Sequence, residues 1–153
     1  MERSELVHLF QESLFLDHLE ADSKENVLSE MLELFVNEKI VKNQQIVMEM
    51  LRQRETLGST GIGKGVAIPH GRTTAAADVH IAFAKSEKGI EFDAIDQKPV
   101  HLFFMIIAPP LDEENKYLPA LGNLVTLIKD NKIREQLLKV TSYSEFISII
   151  KGE

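Results

Sequence analysis

Residues 100–110 read VHLFFMIIAPP, an almost unbroken apolar run that ends at a pair of prolines. Because proline cannot donate to a strand ladder, a run bounded in this way is typical of a central β-strand. Upstream of this run, Val79, Ile81 and Phe83 alternate with other residues, as they would in a half-buried strand. The middle of the chain is therefore predicted to form at least two neighbouring strands.

Helical spacing of apolar residues lies on both sides of these strands. Residues 23–40 have this spacing, with Asp22 and Glu25 resembling a capping box at the start, and a second amphipathic helix is predicted to end near Thr56. After the strands, helical spacing returns and predicts three more helices, the last starting from Ser142. This order predicts a sheet covered by helices, an α/β or α+β sandwich.

Composition limits the class of protein. The 153 residues fit one domain over 1–153, and the absence of Cys excludes a disulfide scaffold or a thiolate metal site. With 17 Lys+Arg against 24 Asp+Glu, the net charge of −7 argues against a nucleic-acid surface and favours partners with a basic face.

No segment has the pattern of a membrane or export signal. The longest strongly apolar run, 102–108, is far shorter than the roughly 20 residues of a membrane-spanning helix. The first 20 residues mix acidic side chains with short apolar stretches, unlike a secretory signal. We therefore expect a cytoplasmic protein without membrane insertion.

A glycine-rich window, GSTGIGKGVAIPHG at 58–71, holds five of the eight glycines of the chain. It predicts a loop that leads into a short strand at 66–68, since glycine disfavours a helix interior. Residues 58–65 resemble a phosphate-binding P-loop, but Gly65 replaces the hydroxyl residue that would ligate Mg²⁺. The window also follows a helix and enters a strand, the reverse of the P-loop context, so nucleotide binding is disfavoured.

What remains in this window is a histidine at the end of a short strand. Pro69 is expected to end the strand pairing and to hold His70 at an accessible exit. An accessible imidazole is mostly neutral at pH 7 and can act as a nucleophile, a base or a metal ligand. Metal ligands and a serine nucleophile motif are missing from the neighbouring sequence. Acceptance of a phosphoryl group remains, with hydrogen-bond donors from Arg54, Ser59 and Thr60.

The residues around His70 resemble those of a known protein family. The stretch from Glu55 through GIGKGVAIPHG resembles the active-site signature of the IIA phosphocarrier proteins of the bacterial sugar phosphotransferase system, in the fructose/mannitol class. The nitrogen-regulatory IIA branch is the most similar, since it also resembles FDAIDQKPV at 92–100. The resemblance extends from about residue 20 to residue 150 and leaves the N-terminal segment 1–20 outside.

The resemblance implies an α/β fold in which a central mixed sheet is sandwiched between helices. It implies that His70 accepts a phosphoryl group on Nε2 from the phosphohistidine of an HPr-like carrier protein, with Arg54 nearby and Ser59 and Thr60 on the adjacent loop. The group then passes to a IIB domain of a sugar transporter, or the phosphorylation state signals by binding a regulated transporter or kinase. No metal or organic cofactor is implied.

One position departs from the family pattern. Where the family commonly has a second active-site histidine, at the start of the helix after the long buried strand, this chain has Tyr117. A phenol can donate a hydrogen bond to a phosphoryl oxygen but cannot carry the imidazolium charge. A phosphotransferase activity is therefore left open, the alternative being a regulatory protein-binding module without productive transfer.

The site residues also have structural alternatives. In these alternatives Arg54 is a solvated charge at a helix end or a partner of the last helix carbonyls, Ser59 and Thr60 close a turn, and Tyr117 is a packing residue.

Overall fold

The apolar run at 100–108 forms the central strand of a six-stranded sheet. A computed structural model describes residues 1–153. The helices are α1 (Arg3–Leu6), α2 (Lys24–Asn37), α3 (Gln44–Thr56), α4 (Tyr117–Ile128), α5 (Asn131–Leu137) and α6 (Tyr143–Lys151), with 3₁₀ turns at Val7–Leu9 and Glu12–Leu14. The strands are β1 (Phe15–Leu16), β2 (Gly61–Gly63), β3 (Val66–Ala67), β4 (His70–Arg72), β5 (His80–Ile90) and β6 (Val100–Ala108).

The sheet is mixed, as expected. One edge of β6 pairs antiparallel with β5, and β1 adds to β5 in parallel. The other edge of β6 pairs in parallel with β3 and then with β4, which follow each other along it. Val66 lies opposite Leu102 and His70 opposite Ile106, so the residues after β3 are brought to the carboxyl end of β6.

Helices cover both faces of the sheet, which confirms the predicted sandwich. Alternate residues of the strands point to opposite faces and build two separate cores. Phe83 and Phe104 belong to the core that packs against α4, α5 and α6, together with Phe10 and Phe146. Ala82, Ala84, Phe103 and Met105 belong to the core under α2 and α3.

Two local predictions were wrong. The strand that contains Ile81 and Phe83 is buried on both faces rather than half-buried, because its small residues Ala82 and Ala84 let α2 pack closely on the second face. Helix α2 is capped by Ser23 rather than Asp22: the Ser23 hydroxyl accepts a hydrogen bond from the N–H of Asn26 at 3.2 Å.

The glycine-rich window is a β-hairpin rather than a plain loop, since β2 pairs antiparallel with β3. The turn between them has positive φ at Gly63, Lys64 and Gly65, a conformation that glycine adopts without strain. No helix follows this turn, so the context that a P-loop requires is absent.

Candidate active site

His70 lies where pairing along β6 passes from β3 to β4. Pro69 stands between the two strands and has no N–H, yet its carbonyl accepts a hydrogen bond from the N–H of Ile106 at 2.9 Å. The strand β3 ends before Pro69, as expected, but pairing with β6 resumes at His70, which was not expected. The His70 side chain is half-buried at this place and is not part of either core.

A hydrogen bond to the backbone fixes the tautomer of His70. Its Nδ1 lies 2.6 Å from the carbonyl oxygen of Ile68. Because a carbonyl oxygen only accepts, Nδ1 must hold the proton and donate it. In the neutral ring the lone pair is then on Nε2, the atom that the resemblance implies as the nucleophile.

The absence of a side chain at Gly71 brings α3 close to β4. A Cβ at this position would lie 1.9 Å from Sδ of Met50 and 2.8 Å from its Cε. Arg54 follows Met50 by four residues on α3 and therefore shares its helix face. The contact at Gly71 thus places Arg54 next to the histidine strand.

A cavity of about 610 Å³ opens at this place. It is lined from three elements, by His70, Gly71 and Arg72 of β4, by Met50 and Arg54 of α3, and by Tyr117 of α4. Two guanidinium groups and no carboxylate are among the nine lining residues. The cavity is therefore suited to an anion beside the imidazole.

The surroundings keep His70 neutral. Burial lowers its pKa below the ordinary value of 6.5, and the positive charge of Arg54 lowers it further. The hydrogen bond to Ile68 and the charge of Glu55 oppose this lowering only in part. The imidazole is accordingly in its nucleophilic form at neutral pH.

Tyr117 is the first residue of α4 and is almost fully buried. Its N–H donates to a carboxylate oxygen of Asp112 at 2.7 Å, which satisfies a free donor at the helix start. Its ring centre is 6.3 Å from that of His70. Burial raises the pKa of the Tyr117 phenol, so that the hydroxyl stays protonated and able to donate.

Arg54 is half-buried and lines the cavity, and its Nη1 donates to the carbonyl of Gly58 at 2.9 Å. The structure thus places Arg54 at the site. It also gives Arg54 a carbonyl partner just after the end of α3, as in the alternative in which the residue has only a structural role. Its contact with a phosphoryl group stays a prediction.

Ser59 and Thr60 have other partners and do not line the cavity. The Ser59 hydroxyl donates to the carbonyl of Phe92 at 2.6 Å, and the Thr60 hydroxyl donates to the Glu55 carboxylate. Glu55 also accepts from the Thr60 N–H and pairs with Lys24 at 3.0 Å. These contacts support the turn-closing alternative, and a phosphate contact of either hydroxyl stays a prediction.

Sequence reasoning missed Arg72. The signal was present, because residues two apart on a strand point to the same side and Arg72 follows His70 by two. Its Cζ lies 4.9 Å from the ring centre of Tyr117, and its Nη1 donates to the carbonyl of Pro110 at 3.3 Å. A second cation is thereby held at the cavity.

No three or more His, Cys, Asp or Glu side chains are grouped so that they could hold a metal ion. His101 is instructive as a comparison, since its Nδ1 also bonds a backbone carbonyl, that of Ser86, at 2.9 Å. His101 does not line the cavity with the two arginines. His70 and His101 therefore each have a hydrogen bond at Nδ1. What distinguishes His70 is its place in the charged cavity.

Known proteins share this arrangement of sequence and fold. The model of the family described as "Phosphoenolpyruvate-dependent sugar phosphotransferase system, EIIA 2" matches residues 8–153. The fructose-specific EIIABC component of Bacillus subtilis is 38% identical over 133 residues, 87% of this chain and 21% of that protein. This chain thus spans about a fifth of the length of that relative.

Other similar proteins match over most of their length. A nitrogen regulatory protein of Klebsiella oxytoca is 33% identical over 150 residues, 95% of this chain and 90% of that protein. The crystal structure of the nitrogen regulatory protein IIA-Ntr from Neisseria meningitidis superposes with a TM-score of 0.87 at 34% identity, covering 95% of this chain and 99% of that one.

The chain belongs to the EIIA 2 family of the phosphoenolpyruvate-dependent sugar phosphotransferase system, the class of IIA components that includes nitrogen regulatory proteins. The resemblance found in the sequence is thereby confirmed. None of its helices has the length and apolar character needed to cross a membrane.

Proposed function

We propose that this protein is a phosphoryl carrier that accepts a phosphoryl group on Nε2 of His70 from the phosphohistidine of an HPr-like carrier protein. The observation that carries the proposal is the place of His70 in a cavity lined by two arginines and no carboxylate, with the hydrogen bond from Nδ1 to Ile68 leaving the lone pair of the neutral ring on Nε2. The imidazole also shares a cavity with Arg54, whose positive charge suits the phosphoryl oxygens.

The transfer needs no group beyond the two imidazoles. The Nε2 lone pair of His70 attacks phosphorus and forms a new P–N bond, while the P–N bond to the carrier breaks and its electron pair returns to the carrier's ring nitrogen. The proton on Nδ1 of His70 stays in place, held by the Ile68 carbonyl, so the phosphorylated ring carries a positive charge. The carrier, whose ring was charged, leaves with a neutral imidazole.

Arg54 and Tyr117 have defined roles in this proposal. Arg54 pairs with the phosphoryl oxygens during transfer, and beforehand its charge adds to the effect of burial in lowering the pKa of the attacking ring. Tyr117 stays protonated and donates a hydrogen bond to one of those oxygens, in place of a second histidine. Ser59 and Thr60 hold the adjacent loop through their bonds to Phe92 and Glu55.

The phosphoryl group is then transferred to a IIB domain. Alternatively, the phosphorylation state of His70 regulates a target protein. The related proteins include a fructose-specific component and nitrogen regulatory proteins, so both outcomes have relatives to support them. The proposal keeps the cytoplasmic location expected from the sequence, and it treats residues 1–153 as one IIA-type domain.

The alternative, a binding module without phosphoryl flux, is less well supported. A module of that kind would not require a neutral imidazole with a free Nε2 next to Arg54, and these features occur together here. Only the replacement of the second histidine by Tyr117 favours it.

Incubation with a phosphorylated HPr-type carrier protein tests the proposal. We expect one phosphoryl group per chain, labile in acid and stable in alkali, on wild type and on His101→Ala. His101→Ala is the matched control because it removes a histidine with the same Nδ1 contact outside the cavity. No label is expected on His70→Ala, and label that persists in this variant would contradict the proposal.

A further inference from the structure

Arg72 is an exposed arginine whose position is nevertheless defined on two sides. Its guanidinium lies over the face of the Tyr117 ring, with Cζ 4.9 Å from the ring centre. Its Nη1 also donates to the carbonyl of Pro110, at the start of the segment that follows β6. An exposed arginine without such contacts would lose side-chain entropy whenever it bound an anion.

The ring beneath Arg72 is itself fixed. Tyr117 is 6% exposed, and its backbone N–H is bonded to Asp112 at the start of α4. A cation over the face of an aromatic ring is attracted by the ring's quadrupole, and arginine stacks there without giving up its in-plane N–H donors. The guanidinium therefore keeps donors available while it stays in place.

His70, Arg72 and Tyr117 converge from two elements. His70 and Arg72 are two residues apart on β4, which places them on the same side of the strand. All three line the cavity of about 610 Å³, with the His70 and Tyr117 ring centres 6.3 Å apart. Arg54 enters the same cavity from α3.

We infer that Arg72 is a catalytic residue that binds the oxygens of the phosphoryl group in transit to His70, and that Tyr117 is the positioning residue that holds Arg72 there. This inference rests on the proposed function. Tyr117, at the start of α4, cannot supply a positive charge. The inference assigns that charge to Arg72, which lies next to it. Arg54 and Arg72 then bind the phosphoryl group from two different elements.

The test compares phosphorylation rates at saturating and at limiting HPr-type carrier, at about 0.15 M salt so that long-range charge effects are screened. Arg72→Gln is expected to lower the saturating rate about 10- to 100-fold, the effect of losing one charged hydrogen bond in the transition state. Its apparent KM for the carrier is expected to stay within about threefold of wild type. Lys132→Gln, an equal change of charge on the exposed side of α5, is the control and is expected to leave the rate unchanged.

Substitutions of Tyr117 separate its two roles. Tyr117→Phe keeps the ring face under Arg72, whereas Tyr117→Leu removes it. We therefore expect Tyr117→Leu to be slowed more than Tyr117→Phe in the wild-type background. This difference between Phe and Leu should vanish in the Arg72→Gln background, because the ring acts only by holding Arg72. A thermal melt of each variant checks that it is folded.

The outcomes are distinguishable. If wild type is labelled on His70 and Arg72→Gln is labelled equally fast, the inference is overturned and the proposed function stands. Equal rates for Tyr117→Leu and Tyr117→Phe, or a difference between the two that persists unchanged in the Arg72→Gln background, would overturn the positioning role. Failure of wild type to take up label would overturn the proposed function and this inference together.

Discussion

Gly71 and Met50 approach each other so closely that a Cβ on residue 71 would lie 1.9 Å from the Met50 sulfur. This contact joins the strand that carries His70 to the helix that carries Arg54. The spacing between nucleophile and cation is therefore set by a glycine that has no chemical role of its own.

Gly71→Ala is expected to push Met50 away and to destabilise the fold by about 1 kcal/mol, at the low end of overpacking costs because the end of a methionine side chain is flexible. Urea denaturation measures this loss. The second change Met50→Ala makes room for the new methyl group, so the double variant should lose less than the two single losses added together. Strict additivity would show that the contact does not limit the approach of α3.

Arg54→Gln is expected to slow phosphorylation of His70 by about 10- to 100-fold, since a charged donor to the phosphoryl oxygens is lost. Arg52→Gln is the matched control on the same helix, because Arg52 is bonded to Glu25 and does not line the cavity. Initial rates of label uptake make the comparison. Equal rates for the two variants would remove Arg54 from the site.

The protonation of His70 should respond to both neighbouring charges. Burial lowers its pKa, so its imidazole is expected to titrate below 6.5 in NMR spectra of the ring nitrogens. Arg54→Gln removes a positive charge that disfavours protonation and should move the midpoint up. Glu55→Gln removes a negative charge that favours protonation and should move it down. A midpoint at or above 6.5 in wild type, or shifts of the opposite sign, would contradict this electrostatic description.

Glu55 is expected to stabilise the loop before the hairpin. Its side chain is only 7% exposed and bonds both Thr60 and Lys24. Glu55→Gln should cost about 1–3 kcal/mol, because a charged acceptor is lost next to a lysine that remains. Glu49→Gln, in an exposed pair with Arg52 at 3.7 Å, should change stability by less than about 0.5 kcal/mol. Equal losses in urea denaturation would rule out this role of Glu55.

Much of the fold follows from local patterns in the chain. The apolar run at 100–108 and the helical spacing over 23–40 predict elements that the structure contains at nearly the same bounds. The helix cap was assigned one residue too early because Asp22 and Ser23 are both good capping residues, and only the course of the chain decides between them.

The hairpin and the buried second face of β5 were harder to predict. Pairing of β2 with β3 depends on a turn of three positive-φ residues, which a glycine-rich sequence permits but does not require. The alternation of Val79, Ile81 and Phe83 describes only one face of the strand, and the burial of Ala82 and Ala84 on the other face depends on the packing of α2 against them.

The candidate site was predicted in part. His70 could be found from its motif, but the partner of Ser59, the Phe92 carbonyl, lies 33 residues away and could not be predicted from the local sequence. The periodicity of a strand could have identified Arg72, since it follows His70 by two residues. Its contact with Tyr117, in contrast, depends on where α4 begins relative to β4.

The most direct test identifies the ring nitrogen that receives the phosphoryl group. NMR of the phosphorylated protein with ¹⁵N-labelled histidines reports phosphorus on a given nitrogen through the ¹⁵N–³¹P coupling. We expect this coupling at Nε2 of His70, with the proton retained on Nδ1 next to the Ile68 carbonyl. Coupling at Nδ1 of His70, or on any other histidine, would contradict the mechanism.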